Sequence, residues 1–228
     1  MPLRALPRVF VPGATAEGEI ELPPDELDKL RKVLRLASGA EIGVLPNDGT
    51  LIRARLDGRV AQPIGVEYPD SESELSLTIL QALPKGDKAE EIVRACTEIG
   101  VTGFVFFASR RTIVRWDEAK TEAKLQRLRT IAKESCELSF RTRVPKIGYL
   151  PSLDAVLKEF PSCVALSEAE STTPVLTKAE ELLIGPEGGW APDEQAKIAG
   201  LGVTLGPRVL RVEHAGPAAA AILLLRHG

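Results

Sequence analysis

Two stretches of the chain, IGPEGGW at 184–190 and LGPRVLRVEHAGP at 205–217, each open with an aliphatic residue, a glycine and a proline. Glycine lets a backbone approach a ligand or take positive φ, while proline fixes φ and removes an N–H. One Gly-Pro turn is a tight bend and no more, but two matched ones predict a preorganised backbone groove. A phosphate cradle fits poorly. Glu187 stands where a polyphosphate would want lysine, and the first stretch has neither GxxxxGK[ST] nor GxGxxG spacing. A neutral or cationic ligand suits it better; an adenosine bearing a sulfonium needs shape and backbone hydrogen bonds and tolerates nearby carboxylates. In the second stretch Arg208 and Arg211 share a proline-stiffened loop, and such a pair is costly to hold without an anionic partner.

Other chemistry is excluded by residue types and spacing. Cys96, Cys136 and Cys163 lie far apart with no CxxC pair, and the histidines are His214 and His227, so neither a disulfide framework nor a zinc site is expected. The 228 residues are 44% hydrophobic and 27% charged, an ordinary globular balance. No apolar run approaches the roughly 20 residues of a membrane helix, and MPLRALPRVF lacks the apolar stretch of a secretory signal. A cytoplasmic protein without a membrane partner is expected. Formal charge is -3, yet residues 109–148 hold 11 basic and 5 acidic side chains. Such asymmetry can steer a polyanion, although a solvated helix surface is the commoner meaning.

The elements that must position these residues follow from the punctuation. In the first 67 residues EIGVLP, LIRARL and PIGVEY read as strands parted by turn signals. One helix is predicted among them, Asp25 to Leu36, with Leu27, Leu30, Val33 and Leu34 facing one way. The acidic, proline-broken EYPDSESE at 67–74 marks a linker, dividing a β-rich domain at 1–70 from an α/β domain at 73–228. In the latter, strands alternate with helices: LSLTILQAL, a helix over Asp87–Ile99, FVFFA, a long helix from about Asp117 to Leu138, and KIGYL. There follow a helix N-capped by Ser152, then CVAL, ELLI, a helix after Pro192, VTL and a final helix from near Glu213. Alternation of this kind predicts a mostly parallel sheet whose ligands bind beyond the strand carboxyl ends, where both glycine loops fall.

LLIGPEGGW followed by LGPRVLRVEHA resembles the second and third signature segments of the RsmE family, SPOUT-type methyltransferases that modify N3 of a uridine in small-subunit (16S) ribosomal RNA. The likeness extends to RALPRVF (4–10), LRKVLRL (30–36), LPKGDKAEEIVRACTEIGV (83–101), RRTIVR (110–115) and ESCELSFRTRVPKI (134–147). It implies an amino-terminal PUA-like β-barrel, a carboxy-terminal α/β SPOUT domain tied in a trefoil knot, S-adenosyl-L-methionine as methyl donor, and a homodimer acting on ribosomal RNA within an assembled 30S particle. The donor site would be lined by Leu166, Ile184, Gly185, Pro186, Glu187, Gly188, Gly189, Leu205, Gly206 and Leu210. RNA contacts would fall to Arg4, Arg8, Arg31, Arg35, Arg110, Arg111, Arg141 and Arg143. Arg211 would hold the charge of a deprotonating imide, and Glu213 would accept the proton or orient Arg211.

The chain departs from the family pattern at Val212 and His214, where threonines are usual, and at Leu138, where glutamine is. Plainer roles are expected elsewhere: Trp190 packed under its loop, His214 at the surface or in a cap, the cysteines in the core, the alanine-rich last helix in the core and dimer interface, and Pro217 in that helix's first turn. Glu187 could cap the following helix or hold its own loop. Rival readings are a noncatalytic RNA-binding or ribosome-assembly factor and a nucleotide-phosphate enzyme using the glycine loops.

Overall fold

A computed structural model describes residues 2–168 and 173–225, with only the backbone of Glu118; His227 lies outside the described residues. The chain forms two compact units, one of residues 1–72 with 136–144, the other of 73–135 with 145–228.

The first unit is built on a mixed sheet of β1 (Arg8–Phe10), β2 (Ile20–Glu21), β3 (Glu41–Leu45), β4 (Leu51–Asp57) and β5 (Val60–Glu67), in the order β1-β3-β4-β5-β2. Only β1 and β3 run parallel. Three of these are the strands expected; β1 and β2 are too short for alternation to announce them. β5 runs through Pro63 because pairing skips from Arg53–Gly65 to Ala54–Pro63, leaving Ile64 as a bulge beside a residue that has no N–H to donate. Alternate residues Ile42 and Val44, and Ile52, Ala54 and Leu56, fill the core with Val9 and Leu30.

The predicted helix over 25–36 is not continuous. A single turn, α1 (Pro24–Asp28), passes into a π-helical turn at Lys29–Val33, and Arg35 takes φ of 54°. The wider turn, with Leu34 N–H bonding to Lys29 O at 2.9 Å, rotates later residues off the apolar stripe. Leu30 is buried, whereas Val33 and Leu34 are 73% and 43% exposed. Residues 136–144 group with this unit because Cys136 and Phe140 join Leu6, Phe10, Leu45 and Leu51 in a second apolar cluster.

The second unit holds a fully parallel sheet of β6 (Thr78–Ala82), β7 (Gly103–Phe107), β8 (Lys146–Leu150), β9 (Val164–Leu166), β10 (Glu181–Ile184) and β11 (Gly202–Val203), ordered β11-β9-β10-β6-β7-β8. The helices are α2 (Lys88–Ile99), α3 (Glu118–Ser139), α4 (Leu153–Glu159), α5 (Pro192–Lys197) and α6 (Val212–Leu224). Leu80, Ala82, Phe107, Ala165 and Leu183 pack with Leu153, Val156 and Ile198. α2 packs on α6, where Gly216 lets that helix approach: a Cβ there would stand 3.3 Å from Ile184 Cδ1 and 3.4 Å from Cys96 Sγ. As expected, Ser152 caps α4, its Oγ accepting from Ala155 N–H at 3.2 Å. Pro217 does not fall in the first turn. α6 starts at Val212, so Pro217 is interior and leaves the Glu213 carbonyl without its usual helical donor. All three cysteines are buried thiols, and burial pushes Cys136 up to about 12. Among the described residues no helix is long and apolar enough to cross a membrane, and no His, Cys, Asp and Glu cluster could hold a metal.

Candidate active site

The carboxyl ends of β9, β10 and β11, with Lys88 at the start of α2, open onto one cavity of about 770 Å³ in the second unit. Parallel strands put these ends on one edge, so the segments after them converge without long excursions. The loop after β10 turns back at once, with Gly189 N–H donating to Pro186 O at 2.9 Å and Gly189 at φ 68°. Trp190 then stacks on Phe107, ring centroids 6.3 Å apart. Its indole lies over Gly185, where a Cβ would come within 2.9 Å of Cε2; that position admits only glycine. Trp190 thus packs beneath its loop. Gly206, in the loop after β11, takes φ 119°, and its N–H donates to Thr204 Oγ1 at 3.1 Å.

Eight of the ten residues expected at the donor site line the cavity: Leu166, Ile184, Gly185, Pro186, Glu187, Gly189, Leu205 and Leu210. Gly188 and Gly206 shape the loops without facing it. Arg211 and Glu213 are both on the wall, Arg211 as the exposed N-cap residue of α6. His214 is exposed.

Lys88, the first residue of α2, was not among the expected site residues. Its Nζ lies 3.3 Å from Glu187 Oε1 and 3.1 Å from Glu213 Oε2, and Lys85 N–H also donates to Glu187 Oε1 at 3.0 Å. Glu187 therefore fastens the glycine loop to the segment after β6 and does not cap α5. Burial alone would raise the Glu187 carboxyl, but hydrogen bonds from Lys85 N–H, its own N–H and Lys88 hold it below the ordinary range. Glu213 is likewise lowered, first by its own backbone N–H and, against some desolvation, by Lys88. Lys88 is raised, chiefly by its contact with Glu213. The available signal was position: Lys88 follows a strand end on the same edge as both glycine loops.

The cap of α5 falls to Glu194, 4% exposed, whose Oε2 accepts from Ala191 N–H (3.2 Å) and Ser109 Oγ (3.0 Å) while Oε1 accepts from Arg110 N–H (2.9 Å). It clasps the 109–111 segment to the glycine loop. Arg111 Nη1 adds a bond to Gly188 O at 2.9 Å, and Arg110 Nε pairs with Asp193 Oδ2 at 2.9 Å.

The other six expected RNA-contacting arginines belong to the first unit. Arg4 and Arg8 lie over the Phe140 ring at 5.5 and 5.0 Å, with Arg8 Nε donating to Glu137 O at 2.9 Å. Arg31 donates to Leu36 O and Gly58 O, both at 3.0 Å, and Arg35 is exposed. Arg143 is exposed beside Gly49. Arg141 is not a surface group: it is 2% exposed, and its Nε and Nη2 donate to Glu72 Oε2 at 3.1 and 2.8 Å. Glu72 Oε1 accepts from the N–H groups of Thr142 and Arg143 at 2.7 and 3.0 Å, which makes the pair a clamp for that segment. The run of basic residues in the sequence could not distinguish a buried partner from a solvated one.

Residues 71–224 match the family described as RNA methyltransferase domain. Ribosomal RNA small subunit methyltransferase E of Bacillus subtilis (strain 168) is 31% identical over 214 residues, 84% of this chain and 84% of that one. The structure of the same-named protein from Neisseria gonorrhoeae, bound to S-adenosyl methionine, is 30% identical with a TM-score of 0.82, covering 95% of this chain and 96% of that one. A Legionella pneumophila methyltransferase structure with bound SAM is 27% identical, covers the same shares and has a TM-score of 0.86. Because the likeness takes in both glycine loops and extends through the first unit as well as the second, the chain belongs to the ribosomal RNA small subunit methyltransferase E family.

Proposed function

We propose that the protein uses S-adenosylmethionine to methylate N3 of a uridine in small-subunit (16S) ribosomal RNA. The observation that carries this reading is the cavity itself, with a glycine-shaped floor, an apolar wall of Leu166, Ile184, Leu205 and Leu210, and one ammonium between two carboxylates. That ionic group leaves one net negative charge beside the glycine loop, which suits a cationic sulfonium there. When bound, S-adenosylmethionine supplies an electrophilic methyl group on its sulfonium.

The chain's own residues do the rest. Losing the imide proton spreads negative charge over uracil N3 and its flanking carbonyl oxygens. Arg211, always protonated, can hydrogen-bond that charge as it develops. Glu213 is held in its ionised form by its own N–H and by Lys88, so it is a weak base. Its role is to fix the start of α6 and with it Arg211, while the N3 proton passes to water. Arg110 and Arg111, clasped to the glycine loop, provide cationic contacts for RNA beside the cavity. Arg4, Arg8, Arg31, Arg35 and Arg143 offer further contacts from the first unit, read as a PUA-like barrel, whereas Arg141 serves structure. The trefoil knot, the homodimer, the assembled 30S substrate and a cytoplasmic location belong to the same reading.

Mass spectrometry of 16S ribosomal RNA tests it. Small subunits from a strain lacking the gene, incubated with the purified protein and S-adenosylmethionine, should gain one N3-methyluridine. Unmodified RNA, or a methyl group on another atom, contradicts it. Sedimentation should give twice the 24.6 kDa chain mass; a fully active monomer rules out the dimer.

A further inference from the structure

The cavity's cations are of two kinds. Lys88 is neutralised between Glu187 and Glu213, at 3.3 and 3.1 Å. Arg208 and Arg211 also line the wall, both exposed, and neither guanidinium has a hydrogen-bond or ion-pair partner among the described residues. Elsewhere in this unit Arg110, Arg127 and Arg129 are matched by Asp193, Glu90 and Glu122. One further carboxylate, Glu168, faces the cavity. Between the two free arginines stand Val209, 74% exposed, and Leu210. Two aliphatic side chains flanked by uncompensated guanidiniums, in a loop stiffened by Pro207, are a poor surface to leave in water and a good one for a nucleotide.

We propose that Arg208 binds a phosphodiester of the RNA strand beside the nucleotide that enters the cavity, with Val209 and Leu210 forming an apolar shelf against that nucleotide. This rests on the methyltransferase reading and adds what its outer rim recognises. A base that enters a cavity leaves its phosphates at the mouth, where Arg208 is exposed. The planar guanidinium fork matches two phosphate oxygens, which a lysine ammonium meets only as a point charge. Arg211 is left free to act on the uracil ring.

The test is the salt dependence of binding to small subunits isolated from a strain lacking the gene, for wild type, Arg208→Gln and Arg208→Lys, with S-adenosylmethionine affinity measured in parallel by calorimetry. Arg208→Gln should weaken subunit binding and reduce the magnitude of the log–log salt slope by about 0.7 to 0.9, the loss of one phosphate contact. Arg208→Lys should keep the slope, and donor affinity should be unchanged in both. Inorganic phosphate at matched ionic strength should displace the subunit no better than chloride does. An unchanged slope in Arg208→Gln, an equal loss of donor affinity, or selective displacement by inorganic phosphate each overturns the role given to Arg208 alone. A wild-type protein that does not bind subunits overturns the functional reading with it.

Discussion

The loop after β10 is fastened along its length, whereas the loop after β11 stands open to solvent beyond Gly206. Trp190 covers Gly185, Glu187 holds Lys85 and Lys88, and Arg111 bonds to Gly188 O. By contrast Pro207, Arg208, Val209, Leu210 and Arg211 are all exposed, and the turn at Thr204 and Gly206 is the fixed point before them. Two segments that begin with the same three kinds of residue therefore divide the work. On the proposed function, the fastened one would give the donor a preformed surface, which lowers the ordering cost of binding. On the same reading, the open one would keep its cations available for RNA.

Filling the fastened loop should have the largest effect. Gly185→Val places a branched side chain where even a Cβ meets Trp190 at 2.9 Å, so S-adenosylmethionine binding should be lost while the first unit stays folded. Calorimetry and circular dichroism would read this, and a folded variant with unchanged donor affinity removes the loop from the site. Lys88→Met should instead erase the difference between the loops. Hydrogen exchange at 185–190, expected to be slower than at 207–211 in the wild type, should rise toward that of 207–211; an unaltered pattern would mean that Lys88 does not fasten the loop.

Acidification should act in the same direction. Glu187 and Glu213 lie below the ordinary carboxylate value of 4.5, so the stability their contacts with Lys88 contribute is complete above that value and is lost as pH falls through the lowered values. Lys88 is raised above 10.5, so its share is complete below that value and lost above it. Protection at 185–190 should therefore fall below about pH 4.5 in the wild type, and by less in Lys88→Met, where Glu187 keeps its bonds from Lys85 N–H and its own N–H and Glu213 keeps its own. The smallest effects come from single methyl groups. Gly206→Ala should cost about 1 kcal/mol because φ is 119° there, while Gly188→Ala, with ordinary φ and its nearest neighbour at 3.7 Å, should cost less than about 0.5 kcal/mol. Equal losses in denaturant titrations would contradict the assigned backbone geometry.

The parallel sheet and both loops were legible because strand, glycine, proline and helix cap are local signals; KIGYL became β8 and Ser152 a cap without adjustment. What escaped depends on partners distant in sequence or on helix geometry. A period of 3.6 cannot reveal the π-turn that exposes Val33 and Leu34. Arg141 looks like its basic neighbours until Glu72, 69 residues earlier, is seen to hold it. Lys88 and Glu213 are far apart in the chain, and only the order of the sheet brings their helices together.

The division between the two loops is tested most directly at Arg211, by measuring turnover on authentic small subunits and S-adenosylmethionine affinity for the same Arg211→Ala preparation. The account predicts that kcat falls by about 10²-fold or more, the scale of one lost oxyanion donor, that donor affinity stays near that of the wild type, and that part of the rate returns at high pH as the imide ionises unaided. Wild-type turnover, or a loss confined to donor binding, would contradict it.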